Sequence, residues 1–181
     1  PKKLLKDLGG IPVIMRTYEA VEKTRLFDEV LVATDSDDIF QTVQQYGGTA
    51  VMSEKEHDCG SNRIAEAIEN LDYDIVVNVQ GDEPFINRED LQRLLEVFDT
   101  DGNQDIALAS LMHRLDDDKD IRDPNNVKVI VDNYSNALYF SRSPIPFIRD
   151  EKSAAVTYKH VGIYAFRKNA LLEFYHSAPT P

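Results

Sequence analysis

An amide, a glycine and two carboxylates fall together in Gln80-Gly81-Asp82-Glu83, directly after the apolar run Ile75-Val76-Val77-Asn78-Val79. Carboxylate oxygens delivered to one point by the end of a buried strand suit Mg²⁺ that bridges a nucleotide's phosphates. The same residues also make an ordinary turn, with Gly81 for the bend and Pro84 to stop pairing. On local chemistry both readings stand, because short turn motifs recur by chance.

A second candidate is the stretch His57-Asp58-Cys59-Gly60-Ser61-Asn62-Arg63. It reads as a loop that brings Gly60 and Arg63 to a helix N-terminus, where free N–H groups and the helix dipole favour anions. A surface arginine beside a capped helix start explains the same residues. Cys59 has no activating partner in the sequence and reads as a small buried side chain. Asp35 closes the run Val30-Leu31-Val32-Ala33-Thr34 and is open to two roles, contact with a nucleotide or the N-cap of the next helix. His160 and Tyr164, four apart in an apolar run, share a face if that run is a strand.

The elements that must position these groups alternate. The periodicity predicts a helix from Ile11 with Pro12 in its first turn, a strand over 30–33, a helix reaching about Tyr46 and ended by Gly47-Gly48, and a strand over 50–52. A helix over 64–68, a strand over 75–79, a helix over 90–98 and strands over 106–111, 127–132 and 160–166 follow, with a helix over 169–174 at the end. Residues 116–126 read as a polar surface connection. Strands alternating with helices imply an α/β fold with an open, mostly parallel twisted sheet covered by helices on both faces. In such folds ligands bind beyond the carboxyl ends of strands, which is where Asp35 and residues 80–83 fall.

Composition narrows the function classes. The 181 residues suffice for one sizeable core, and 32 acidic against 20 basic residues give a net charge of -12. That charge argues against a nucleic-acid partner, while leaving room for a small anion held by a few local cations or a metal. Cys59 is the only cysteine, so no intrachain disulfide forms and a reducing, cytoplasmic setting is expected. No apolar run approaches the length of a membrane span.

Five ordered segments then carry a resemblance: Ala33-Thr34-Asp35; residues 57–66; Asn78-Val79-Gln80-Gly81-Asp82-Glu83-Pro84; Tyr139-Phe140-Ser141-Arg142-Ser143-Pro144-Ile145-Pro146; and Lys159-His160-Val161-Gly162-Ile163-Tyr164. Together they resemble the 3-deoxy-manno-octulosonate (Kdo) cytidylyltransferase family over essentially the whole chain. The resemblance implies a nucleotide-diphospho-sugar transferase-like fold, and a reaction in which CTP and Kdo give CMP-Kdo and pyrophosphate with Mg²⁺, for lipopolysaccharide biosynthesis. It implies Asp82 as metal ligand and Lys3 as the phosphate-binding lysine, both catalytic, with Gly60 and Arg63 towards the nucleotide. Gln80, Arg142, Arg149, His160 and Tyr164 are implied for the sugar, the arginines because a guanidinium fork pairs with a 2-keto acid's carboxylate. A homodimer is implied as well. The family pattern Ser-Gly-Thr-Asp-Arg appears here as Cys59-Gly60-Ser61-Asn62-Arg63, which keeps the glycine and the arginine. Residues 1–181 read as a single cytidylyltransferase domain, with Pro1-Lys2-Lys3 resembling the end of the family's N-terminal nucleotide loop. The rest of that loop and the family's C-terminal region, which supplies a second metal-binding Asp, lie outside this sequence. An acylneuraminate cytidylyltransferase and a catalytically inactive nucleotide-sugar-binding domain are the alternative readings.

Overall fold

In a computed structural model of the chain, residues 3–57, 59–149 and 155–178 are described. Lys2 and Asp58 therefore lie outside the described residues. The elements in chain order are α1 (Val13–Thr24), β1 (Val32–Thr34), α2 (Asp37–Gln45), β2 (Ala50–Met52), α3 (Gly60–Ile68), β3 (Ile75–Asn78), α4 (Arg88–Asp99), β4 (Leu108–Leu115), α5 (Asp118–Arg122), β5 (Lys128–Val131), β6 (Ala137–Ser141), β7 (Thr157–Arg167) and α6 (Lys168–His176). The chain packs as two compact units, Pro1–Ala109 with Ile163–Pro181, and Ser110–Gly162.

In the first unit β1 and β2 pair in parallel, Val32 opposite Ala50 and Thr34 opposite Met52. β3 pairs antiparallel with the last residues of β7, Asn78 opposite Tyr164. Helix α1 buries Ile14, Met15, Tyr18 and Val21, the spacing of one helical face, and packs Ile14, Met15 and Tyr18 on Ile39 and Val43 of α2. Pro12 is the N-cap of α1, one position earlier than a first-turn proline. Gly47 takes φ +80, a left-handed backbone that ends α2 as the Gly47-Gly48 pair predicts. On the other side Ala65 and Ile68 of α3 close on Val76 of β3 and Leu171 of α6.

In the second unit β5 and β6 form an antiparallel hairpin, Lys128 opposite Ser141 and Ile130 opposite Tyr139. β5 also pairs antiparallel with β7, Lys128 opposite Lys159. Asp132 holds the hairpin turn by accepting from the backbone N–H groups of Tyr134 and Asn136 at 2.8 Å each. The open α/β architecture is the one expected, and its pairing is mixed: β1–β2 is parallel, whereas β3–β7, β5–β6 and β5–β7 are antiparallel. A short turn between β5 and β6 permits no crossover, so that pair must run antiparallel. Two elements are additions to the reading above. α5 lies within the stretch taken as a connection, capped by the Asp117 side chain, which accepts from the Lys119 N–H at 2.8 Å. β6 has no polar–apolar alternation in Ala137-Leu138-Tyr139-Phe140 to signal it, and in the structure four of its five residues are exposed.

The loop ahead of α3 is tied down by one carboxylate. Glu66 accepts from the Ser53 hydroxyl at 2.5 Å and from the Glu54 N–H at 3.2 Å, and its Oε2 lies 2.5 Å from Nε2 of the buried His57. The Tyr175 ring of α6 meets His57 edge-on, with centroids 5.9 Å apart. These donors, the His57 contact first, draw the Glu66 pKa from 4.5 down to about 2. A depressed carboxylate contributes stability that is present above its unfolded pKa and is lost as pH falls through the folded value. Wild type should therefore lose this contribution between pH 4.5 and about 2. Glu66→Gln should be less stable at pH 7 and flatter across that window. Denaturant titrations of both proteins at pH 7, 4.5 and 3 check this, and equal slopes with pH would contradict it.

Candidate functional site

The first unit contains a cleft of about 690 Å³, lined by residues that end or follow two strands: Thr34 at the end of β1 with Asp35 beyond it, and Gln80 and Gly81 beyond β3. Its walls are largely apolar, with Val32 and Val77 from the strands, Ile14 and Tyr18 from α1 and Ile64 and Ile68 from α3. Gly60 and Arg63, from the first turn of α3, complete its lining on the polar side.

The turn after β3 is fixed by backbone and side chain together. The Glu83 N–H donates to the Gln80 carbonyl at 3.0 Å, and the Thr17 hydroxyl of α1 donates to the Gly81 carbonyl at 2.9 Å. A Cβ on Gly81 would meet Ile14 Cδ1 at 2.9 Å and Leu4 at 3.3 Å. The glycine thus makes room for the ends of the Ile14 and Leu4 side chains, a reason different from the bend that the sequence suggested. Asp82 follows, and its Oδ2 accepts from Lys3 Nζ at 2.6 Å. Lys3 is well exposed, and the Asp82 hydrogen bond and charge, with a smaller contribution from Glu83, raise its pKa above the ordinary lysine value. The two residues expected to be catalytic, 79 positions apart in sequence, are in direct contact.

Arg63 donates through Nη2 to Asp35 Oδ2 at 2.6 Å. Asp35 is therefore not the cap of α2, because Ser36 occupies that position; its carboxylate is turned to the arginine instead. Among the described residues, Arg63 Nε and Asn62 Oδ1 are buried without a hydrogen-bond partner. A Cβ on Gly60 would meet no protein atom within 4 Å, so the backbone at the start of α3 faces open space. Cys59 stands at the N-cap of α3 and is exposed, against the expectation of burial, because the chain enters the helix there from an exposed loop.

The residues expected to serve the sugar fall in both units. Gln80 is exposed at the cleft, and Tyr164 is half-buried on β7 opposite Asn78. In the second unit, the exposed Arg142 donates through Nη1 to the Pro124 carbonyl at 2.8 Å, and Arg149 is also exposed. His160 Nε2 lies 2.8 Å from the Ser110 hydroxyl, and the Phe140 ring meets its imidazole edge-on at 5.0 Å. Burial lowers the His160 pKa from the ordinary 6.5, which leaves the ring neutral at pH 7.

No group of three or more His, Cys, Asp or Glu side chains fit to hold a metal occurs among the described residues. Asp82 with neighbouring Glu83 offers one or two hard oxygen donors, which is the provision Mg²⁺ needs when a nucleotide supplies further oxygens and water the rest. The residues present fit a metal that arrives with its nucleotide. The sequence did not signal three supporting interactions: the Arg63–Asp35 pair, the Thr17 hydroxyl under Gly81, and the His57–Glu66 contact. None has a local pattern, since the partners are 28, 64 and 9 residues apart.

The cytidylyltransferase family model matches residues 1–181. A 3-deoxy-manno-octulosonate cytidylyltransferase of Christiangramia forsetii is 58% identical over 175 residues, covering 97% of this chain and 71% of its own length. The protein of the same name from Chlorobium phaeobacteroides is 44% identical, covering 99% of this chain and 72% of its own. Among solved structures, a CMP:2-keto-3-deoxy-manno-octonic acid synthetase complexed with CTP superposes with a TM-score of 0.90 at 38% identity, over 99% of this chain and 73% of that one. HddC from Yersinia pseudotuberculosis, at 16% identity and a TM-score of 0.68 over 94% of this chain and 69% of its own, shares the fold. With relatives this similar across nearly its whole length, the chain belongs to the cytidylyltransferase family, among the 3-deoxy-manno-octulosonate cytidylyltransferases.

Proposed function

We infer that this chain transfers CMP from CTP to Kdo, giving CMP-Kdo and pyrophosphate, the activation of Kdo for lipopolysaccharide. The observation that carries the reading is the Gln80-Gly81-Asp82-Glu83 turn at the end of β3, with Lys3 on Asp82, in a chain 58% identical to a Kdo cytidylyltransferase.

The chemistry asks the protein for position and charge rather than for a nucleophile. The anomeric oxygen of Kdo attacks the α-phosphorus of CTP in line; the bond from that phosphorus to the bridging oxygen breaks, pyrophosphate leaves, and the hydroxyl proton passes to solvent. Lys3 is assigned to the phosphates, exchanging Asp82 for them as the nucleotide enters. Asp82 would then hold Mg²⁺, which when bound draws charge off the phosphates. Gly60 and Arg63 are assigned to the nucleotide, where the open backbone at the start of α3 and the partnerless Arg63 Nε support the role. Arg142 and Arg149 are assigned to the Kdo carboxylate. Gln80, Tyr164 and His160 are assigned to its hydroxyls.

We further propose a homodimer and a cytosolic setting. The dimer is supported by Leu138, Tyr139 and Phe140, exposed in succession on β6, which ends its sheet. No helix among the described residues is long and apolar enough to cross a membrane, and a lone cysteine suits a reducing compartment. A net charge of -12 opposes a nucleic-acid partner.

The direct test is pyrophosphate release with each nucleoside triphosphate and each acidic sugar at matched concentration. CTP with Kdo should turn over, and N-acetylneuraminate should be accepted far less well, because a polar pocket fitted to particular hydroxyls rejects a sugar that leaves its groups unpaired. Equal turnover of N-acetylneuraminate would overturn the sugar assignment. Asp82→Asn should lower kcat by about 100-fold or more without loss of fold, since one charge at an exposed strand end is removed. Wild-type turnover of this variant at saturating Mg²⁺ would take Asp82 out of the site. Arg142→Ala should raise KM for Kdo more than KM for CTP, and an effect confined to CTP would reverse that assignment.

A further inference from the structure

Lys128 is the one charged residue in Val127-Lys128-Val129-Ile130-Val131, and its side chain is wholly buried at 0% exposure. Burying an ammonium costs free energy unless each N–H finds an acceptor. Here all three do: Nζ donates to the carbonyls of Arg142 at 2.6 Å, Asn126 at 2.7 Å and Asp123 at 3.1 Å. A lysine ammonium has three donors and no acceptor, so this arrangement saturates it. An apolar residue of similar volume would fill the same space but would leave those three carbonyls without their donor, so the ammonium and the carbonyls form one unit. What Lys128 supplies is a single point that ties three main-chain carbonyls together.

That geometry converges on Arg142. The ammonium holds the main chain of Arg142 at one end, and it holds residues 123 and 126, on either side of Pro124, at the other. The Pro124 carbonyl in turn accepts from Arg142 Nη1 at 2.8 Å. Both the root and the tip of the Arg142 side chain are thus attached to groups that Lys128 fixes. The loop has its own supports: the Asn125 N–H donates to Asp123 Oδ1 at 2.8 Å, and Asn126 Nδ2 donates to the Asp120 carbonyl at 2.9 Å. Burial and the nearby Arg142 charge both press the Lys128 pKa down, and the Asp123 carboxylate offsets part of this.

We propose that Lys128 is a positioning residue for the sugar: its buried ammonium sets the direction in which the Arg142 guanidinium meets the substrate carboxylate. The proposal rests on the assignment of Arg142 to Kdo. Bidentate pairing of a guanidinium with a carboxylate depends on angle as well as distance, so a loosened Arg142 loses sugar affinity while the nucleotide is unaffected.

The test is steady-state kinetics and thermal unfolding of Lys128→Met, Lys128→Arg, Arg142→Ala and the double variant Lys128→Met/Arg142→Ala. Lys128→Met should raise KM for Kdo by about tenfold and leave KM for CTP within about twofold. Added to Arg142→Ala, it should raise KM for Kdo no further, because the two residues act as one unit. Lys128→Arg keeps the charge but cannot present three N–H groups to the same three carbonyls, and should fall between wild type and Lys128→Met. It carries the test should Lys128→Met fail to fold. A lowered melting temperature with KM for Kdo unchanged, an equal rise in KM for both substrates, or additive effects in the double variant would each overturn the proposal. Failure of the underlying assignment is seen separately, as an unchanged KM for Kdo in Arg142→Ala itself.

Discussion

The contact between Lys3 and Asp82 is the interaction on which the account of this enzyme depends. It joins the start of the chain to the turn after β3, and it brings the cation proposed for phosphate and the carboxylate proposed for a metal within 2.6 Å of each other. Both side chains are accessible, and an exposed ion pair contributes little to stability. A pair that stabilises so little opens at little cost. Two charges of opposite sign held together in this way neutralise one another until a ligand with a competing charge of each kind arrives, and a metal-bound nucleotide is such a ligand.

A second pair repeats the arrangement at the end of β1, where Asp35 holds Arg63 at 2.6 Å. Both carboxylates follow strands of the first unit, and the cleft that Asp35 lines, with Gly81 next to Asp82, is walled by valine, isoleucine and tyrosine. A low-polarity wall strengthens the few charges set beside it, because the field between them is less screened than in water. A net charge of -12 is compatible with a polyanionic substrate where a small number of placed cations meet it. Thr17 and Gly81 carry the placement. The hydroxyl of α1 holds the Gly81 carbonyl, and the side-chain ends of Ile14 and Leu4 close over the Gly81 Cα, so the backbone ahead of Asp82 is packed against the helix.

Much of this was legible in the sequence. Apolar runs such as 75–79 announce buried strands, and the 3.6-residue rhythm from Ile14 to Val21 announces α1. The carboxylates after β3 declared a site because their types and their place at a strand end agree. Less legible was anything that depends on partners distant along the chain. Nothing local in Asp35 distinguishes a helix cap from an acceptor for an arginine 28 residues away. Cys59 read as buried because cysteines usually are, and its exposure follows from the loop that leads into α3. β6 escaped notice because its residues lack the alternation that marks a strand with one wet face. Lys128 is the instructive case: a lysine inside a β-branched run is a visible anomaly, yet only the three carbonyls around it say what it does.

The most direct test of the central claim is calorimetric titration of CTP into the enzyme with and without Mg²⁺, in wild type and in Asp82→Asn. If Asp82 exchanges Lys3 for a metal that comes with the nucleotide, Mg²⁺ will tighten CTP binding to wild type by about tenfold or more, a difference of about 1.4 kcal/mol, and will tighten it little in Asp82→Asn. An undiminished response to Mg²⁺ in Asp82→Asn would contradict the account.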